Sequence, residues 1–152
     1  MVWAIILTAI IAYLLGSISF SIIFTKKFAG FDVRQKGSGN AGSTNVLRTA
    51  GKKPAILTLI CDILKGVLAV VVAFLMGKIA NADVWNSALL IQVAGVCVVL
   101  GHTFPIFFGF KGGKGVATAL GVLLITNWQI GLICLVFALV LMAITRIVAL
   151  GS

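Results

Sequence analysis

Long apolar runs separated by two polar, glycine-bearing stretches set the plan of this chain. Positions 2 to 25 carry no charge, and positions 26 to 53 form the one long polar stretch. Apolar character resumes at Pro54 and continues to about Met76 despite Asp62 and Lys65. A polar turn at 77–83 leads to a third apolar run, Trp85 to about Leu100, and a loop rich in glycine and lysine spans 101–115. Two shorter runs follow, Val116–Thr126 and Ile130–Ile144, separated by Asn127, Trp128 and Gln129. A bilayer core takes roughly 20 apolar residues per helical span. The pattern therefore predicts an all-α, polytopic integral membrane protein with about five transmembrane helices, residues 1–152 forming a single integral membrane domain. The first run is too long for a signal peptide and lacks a basic leader. It reads as one helix from Val2 to Thr25, whose Gly16, Ser17, Ser19 and Ser21 permit close helix packing. Pro54 suits the first position of the second helix. The last two runs are short for independent spans and read as a tight helical hairpin in preference to one bent helix or partly re-entrant segments.

Composition narrows the chemistry. Apolar residues make up 61 % of the 152 positions and charged residues 10 %, which excludes a large soluble catalytic domain. Twelve Lys and Arg stand against three acids, a net charge of +9. That excess suits anionic lipid headgroups or phosphorylated substrates, and it does not suit a two-metal carboxylate site. Cys61, Cys97 and Cys134 lie far apart in apolar runs beside a single histidine, so neither disulfides, structural zinc nor any cofactor is expected. Nothing in the pattern points to nucleic acid or to a protein partner. The first loop holds seven basic residues, the second holds Lys111 and Lys114, and Arg146 closes the last run, whereas the 77–83 turn carries one Lys and one Asp. The positive-inside bias then places both loops and Arg146 in the cytoplasm and the N-terminus outside.

The first loop (26–53) contains Gly37-Ser38-Gly39-Asn40-Ala41-Gly42-Ser43-Thr44-Asn45, a match to G-x-G-x-x-G. A dinucleotide fingerprint needs a preceding strand and an acid about 20 residues on, and a membrane helix precedes this one. Gly113-Lys114 is followed by Gly115, so no Walker A loop is present either. What remains is an anion-binding nest of convergent backbone N–H groups, supplied by Gly37, Gly39 and Gly42. Ser38, Asn40, Thr44 and Asn45 add side-chain donors, and Arg48 can grip a phosphate in bidentate fashion. The competing reading is a flexible loop whose basic residues bind lipid headgroups.

The second loop (101–115) repeats the combination with Lys111, Gly112, Gly113, Lys114 and Gly115. Its aromatic residues Phe107, Phe108 and Phe110 fit either an acyl-chain entrance or an interfacial belt. His102 is the one group that titrates near neutrality, a candidate general base or phosphate donor, with a backbone hydrogen bond as the alternative role. A His-x4-Asp dyad is excluded, because Phe107 stands five residues after His102. Asp62 and Lys65, three apart on one helix face, read as a structural ion pair.

The stretches GSGNAGSTNVLRTAGKK at 37–53 and GHTFPIFFGFKGGKGVATALG at 101–121 closely resemble the first two signature motifs of the bacterial acyl-phosphate:glycerol-3-phosphate acyltransferase family. Asp62 to Gly66 (DILKG) is similar to that family's second helix. The resemblance implies an enzyme of the bacterial inner membrane that moves an acyl group from acyl-phosphate to the 1-hydroxyl of glycerol 3-phosphate, with lysophosphatidic acid and phosphate as products. It implies no acyl-CoA and no metal. It places the family's essential serine and arginine on Ser38 and Arg48, and its phosphate-binding glycines and lysine among Gly112, Gly113, Gly115, Lys111 and Lys114. The family's about seven helices, at roughly 20 residues each, ask for a longer chain. Its third motif, with His, Asn and Glu, has no counterpart before Ser152, so a truncated sequence is expected. For the proton of the attacking hydroxyl the residues leave His102 and a substrate phosphate oxygen open. The rival class is a small carrier or channel component for an anionic solute, which should show polar, broken helices at mid-membrane and inverted repeats. A CDP-alcohol phosphotransferase would need a cluster of metal-binding aspartates.

Overall fold

The structure, a computed structural model, describes residues 1–145; Arg146 and the segment through Ser152, which the expected third motif touches, lie outside the described residues. Seven α-helices are seen among them: α1 (Val2–Gly16), α2 (Phe20–Ala29), α3 (Ser43–Ala50), α4 (Lys52–Ile79), α5 (Val84–Thr103), α6 (Val116–Thr126) and α7 (Trp128–Thr145). The stretches Val2–Ala29, Lys52–Ile79 and Val84–Phe108 are long and apolar enough to cross a membrane. With 11 residues at about 1.5 Å each, α6 covers roughly 16 Å, half of a hydrocarbon core. Only Asn127 separates α6 from α7, and Gly131 lies directly against the backbone of Leu124, so the chain doubles back into the expected hairpin.

The first run is not one helix. It breaks at Ser17–Ser19, between α1 and α2. Both the amide and the hydroxyl of Ser17 donate to the Tyr13 carbonyl, each at 2.9 Å. The carbonyls of Gly16 and Ile18, which an unbroken helix would pair with amides four residues on, accept instead from the Lys65 ammonium at 3.1 and 3.0 Å. Three other boundaries shift. α2 continues through Lys26 and Lys27 to Ala29, α4 begins at Lys52 so that Pro54 stands third in it, and α5 runs on to Thr103. The last of these puts His102 in a helix rather than a loop.

Lipid tails are as apolar as leucine, so helices in a bilayer associate by close approach more than by the hydrophobic effect. The buried positions accordingly are small: Ala4, Ala12, Ala69, Ala73 and Ala94, with Leu90 and Val98 among them. Larger apolar residues such as Leu64, Leu68 and Phe74 face outward. Two glycine crossings set the bundle. Gly16 and Gly101 bring α1 and α5 into backbone contact, where a Cβ on either would strike a carbonyl of the other helix. Gly66 and Gly121 do the same for α4 and α6, against Thr118 O and Ile63 O. Gly16 and Gly101 stand at the ends of α1 and α5 beside the two loops, while Gly66 lies in the middle of α4.

Candidate functional site

The two loops form one body. The Ala41 amide donates to Gly112 O at 3.3 Å, and Ala41 O accepts from the Ser21 hydroxyl of α2 at 2.8 Å. Arg34, in a short 3-10 turn over Val33–Gln35, reaches across to Phe108 O at 2.6 Å. Its other nitrogens grip Asp32, Nε to Oδ1 at 3.0 Å and Nη2 to Oδ2 at 2.8 Å.

Asn45 builds the first loop from inside. It is buried, its Nδ2 donates to Val33 O, Lys36 O and Asn40 O at 3.0–3.1 Å, and its Oδ1 accepts from the Ser38 amide at 3.1 Å. The glycine at 37 follows from this. Its φ is +60°, and a Cβ there would run into Asn45 Oδ1. The loop then enters α3, whose polar first turn leaves donors open. Among the described residues the amides of Gly37, Asn40, Gly42, Ser43 and Thr44 have no protein acceptor, and the Ser38, Ser43 and Thr44 hydroxyls make no hydrogen bond. Arg48 lies one turn beyond Thr44 on the same face. It is exposed, with no hydrogen bond or ion pair to the described residues. Ser38, Lys111 and Lys114 are exposed as well.

Four expected phosphate donors turn out to hold the loops instead. Asn45 has spent its side chain, and the Gly39 amide goes to Lys36 O at 3.2 Å. The Gly112 and Gly113 amides go to Thr103 O and His102 O, both at 3.1 Å, at the end of α5. These glycines are there for close approach: a Cβ on Gly113 would meet His102 Nε2 and Ala41 O, and one on Gly112 would meet His102 O. Gly115, with φ of +82°, begins α6. The nest that remains is therefore Gly37, Asn40, Gly42 and Thr44, with Ser43 added.

His102 is buried on α5. Its Nδ1 faces Asp62 Oδ1 of α4 at 3.6 Å, and Asp62 Oδ1 lies 3.0 Å from Lys65 Nζ. The expected Asp62–Lys65 pair is thus present, and it reaches His102, which the sequence did not connect to it.

The family described as glycerol-3-phosphate acyltransferase matches residues 6–152. The glycerol-3-phosphate acyltransferase of Clostridioides difficile (strain 630) is 48 % identical over 151 residues, 99 % of this chain and 72 % of the relative. That of Thermoanaerobacter sp. (strain X514) is 46 % identical over 148 residues, 97 % of this chain and 70 % of the relative. The crystal structure of PlsY (YgiH), an integral membrane glycerol 3-phosphate acyltransferase in its glycerol 3-phosphate form, is 42 % identical with a TM-score of 0.81. It is covered over 97 % of this chain and 70 % of its own. Its lysophosphatidic acid form scores 0.78 at 40 % identity, with 97 % and 69 % covered. The chain belongs to the glycerol-3-phosphate acyltransferase family.

Within this acyltransferase the sequence missed Asp32 and Arg34 because both looked like ordinary loop charges; only the fold reveals a clamp between loops 74 residues apart. Replacing Asn45 with alanine leaves the Ser38 N–H and Asn40 O without their partner and takes the second donor from Val33 O and Lys36 O, which keep the Lys36 and Gly39 amides. A thermal melt should show a loss of about 2 kcal/mol, since an orphaned polar group costs about 1–3 kcal/mol when buried and less where water reaches it. Asp32 gives the acyltransferase a pH signature. The hydrogen bond from Arg34 holds its carboxyl below the usual 3.8, against the upward push of its own burial. A lowered folded-state value means this contribution is complete above about pH 5 and is lost as pH falls through 3.8 and below. The melting temperature of Asp32→Asn should therefore fall less steeply than that of wild type between pH 5 and pH 3.

Proposed function

We propose that this chain transfers an acyl group from acyl-phosphate to the 1-hydroxyl of glycerol 3-phosphate at the cytoplasmic face of a bacterial inner membrane, with its N-terminus outside. The observation that carries the reading is the Ala41–Gly112 bond, which puts a nest of unpaired donors and two loop lysines on one membrane face. Seven of the basic residues lie in the first loop, on that face, in keeping with a cytoplasmic side. The names of the relatives, and the glycerol 3-phosphate and lysophosphatidic acid forms of PlsY, point to the same substrate and product.

Acyl-phosphate is already activated, so the work is to hold two phosphate-bearing molecules in line and to stabilise charge as it develops. The glycerol oxygen bonds to the acyl carbon, the acyl–oxygen bond to phosphate breaks, and phosphate leaves with the electron pair. The open amides of 40 and 42–44, the Ser38 hydroxyl and Arg48 can receive a phosphate and the tetrahedral oxyanion. Lys111 and Lys114 add positive charge from the second loop. His102 is buried with Nε2 against Gly113. That placement favours a substrate phosphate oxygen as acceptor of the hydroxyl proton and a supporting role for His102. Membrane lipids surround the apolar exterior and supply the route for the acyl chain. The carrier reading loses ground because the broken first span has its carbonyls filled by Lys65.

The test is release of inorganic phosphate by the chain in lipid nanodiscs given acyl-phosphate, with and without glycerol 3-phosphate. Release that depends on glycerol 3-phosphate, with matching lysophosphatidic acid, is expected. A folded protein that binds both substrates and forms no lysophosphatidic acid would overturn the proposal.

A further inference from the structure

We propose that Lys65 is a positioning residue whose ammonium, acting as a tethered cation between the broken first span and Asp62, holds the two motif loops in register. The acid, the base and the break close a circuit. Lys65 Nζ donates to Gly16 O at 3.1 Å and to Ile18 O at 3.0 Å, and it forms an ion pair with Asp62 Oδ1 at 3.0 Å. Neither Lys65 nor Asp62 reaches solvent; their side chains are 3 % and 2 % exposed.

From the break the circuit runs along α2 to Ser21, whose hydroxyl holds Ala41 O at 2.8 Å. Ala41 in turn donates to Gly112 O. From Asp62 the other arm runs to His102 Nδ1 at 3.6 Å, and the far side of that imidazole supports Gly113. The two arms meet where the loops meet. An ion pair kept only for packing would have no need of the break. Here the carbonyls freed at Ser17–Ser19 are what the ammonium binds, and the turn they permit is what aims α2 at Ala41. Placing a charge so deep in an apolar bundle is costly unless it is paired and hydrogen-bonded, and here the ammonium has two carbonyls and one carboxylate oxygen within 3.1 Å. Removing the ammonium should therefore leave Gly16 O and Ile18 O without donors and let α2 swing, loosening both loops while the glycine crossings of the bundle stay closed.

Amide hydrogen exchange of the whole chain in nanodiscs reads this directly. In Lys65→Met the amides of Ala41, Gly112 and Gly113 should exchange at least tenfold faster, while those of α5 between 90 and 98 change less than twofold. Unchanged rates at the three loop amides, or an equal rise along α5, would overturn the proposal. Should Lys65→Met not fold, Asp62→Asn/Lys65→Met, which leaves no lone buried carboxylate, replaces it under the same criteria.

Turnover supplies the second arm, which rests on the acyl-transfer reading. Lys65→Ala should lose at least tenfold in kcat with KM for glycerol 3-phosphate within threefold. Propylammonium restores the atoms removed beyond Cβ and should recover the rate, whereas propanol, of equal size and uncharged, should not. Recovery by propanol, or full activity in Lys65→Ala, counts against the tethered cation. A wild type without turnover would defeat the functional reading alone, because the exchange rates still judge Lys65.

Discussion

Arg48→Ala should abolish nearly all glycerol-3-phosphate-dependent phosphate release, lowering kcat by on the order of 10²- to 10³-fold while the melting temperature stays within a few degrees of wild type. The magnitude is that of deleting one preorganised donor from a site where negative charge develops. The separation of activity from stability follows from the position. Arg48 stands on the outer face of α3, exposed and without a partner among the described residues, so nothing in the fold depends on its guanidinium. It shares that face with Thr44, whose amide is open, and a phosphate seated there would meet the guanidinium fork and the first turn of the helix together. Lysine supplies the charge without the fork, so Arg48→Lys should recover only part of the loss. Steady-state kinetics on both variants checks this; an Arg48→Ala protein with more than a tenth of wild-type turnover would remove Arg48 from the site.

The second large effect is structural. Gly101→Val should leave little folded protein in the membrane, with a stability loss of more than about 3 kcal/mol. The upper part of the range for overpacking applies here, because the first atom of any side chain at 101 meets the Tyr13 carbonyl and the Gly16 Cα rather than a flexible neighbour. Opening the α1–α5 crossing also pulls the Tyr13 hydroxyl from Phe104 O, now 2.8 Å away, and disturbs Ser17, which accepts from the Ile106 amide. Serine at 101 should be milder than valine and still worse than glycine. Yield of monodisperse protein after extraction, together with thermal melts, ranks the three.

How much of this could be read from the sequence depends on the range of the interaction that decides each feature. The spans at 52–79 and 84–103 were legible, since bilayer thickness imposes a length on any apolar run. The break at Ser17–Ser19 was not. Its serines are small and uncharged, as in many packed membrane helices, and the group that stabilises the break is Lys65, 47 residues from Ile18. α3 was hidden for a different reason. Five of its eight residues are polar and a glycine bounds it at each end, so beside the long apolar spans it reads as part of a loop. The two motif loops do meet, through Ala41 and Gly112, but what each residue does in them was not legible. Asn and Gly both suit an anion nest, and both suit the inside of a tight loop; only the bonds of Asn45, Gly112 and Gly113 tell which use is made of them. His102 looked like a loop residue because Gly101 and Pro105 flank it, yet Gly101 serves a helix crossing and Pro105 follows the helix end.

The bond between Ala41 and Gly112 also sets a timetable. Its partners are 71 residues apart, and at roughly 5–20 residues per second a ribosome delivers the second about 4–14 s after the first. Through that interval the first loop already has its own scaffold around Asn45, while the surface it must close against has not been made. The Ala41 amide thus stands ready before its acceptor exists, and the two loops can join only once the third span is in place. Chains stalled on the ribosome before residue 112 should accordingly be inserted, protected along α4, and unable to hold the Ala41 amide against exchange.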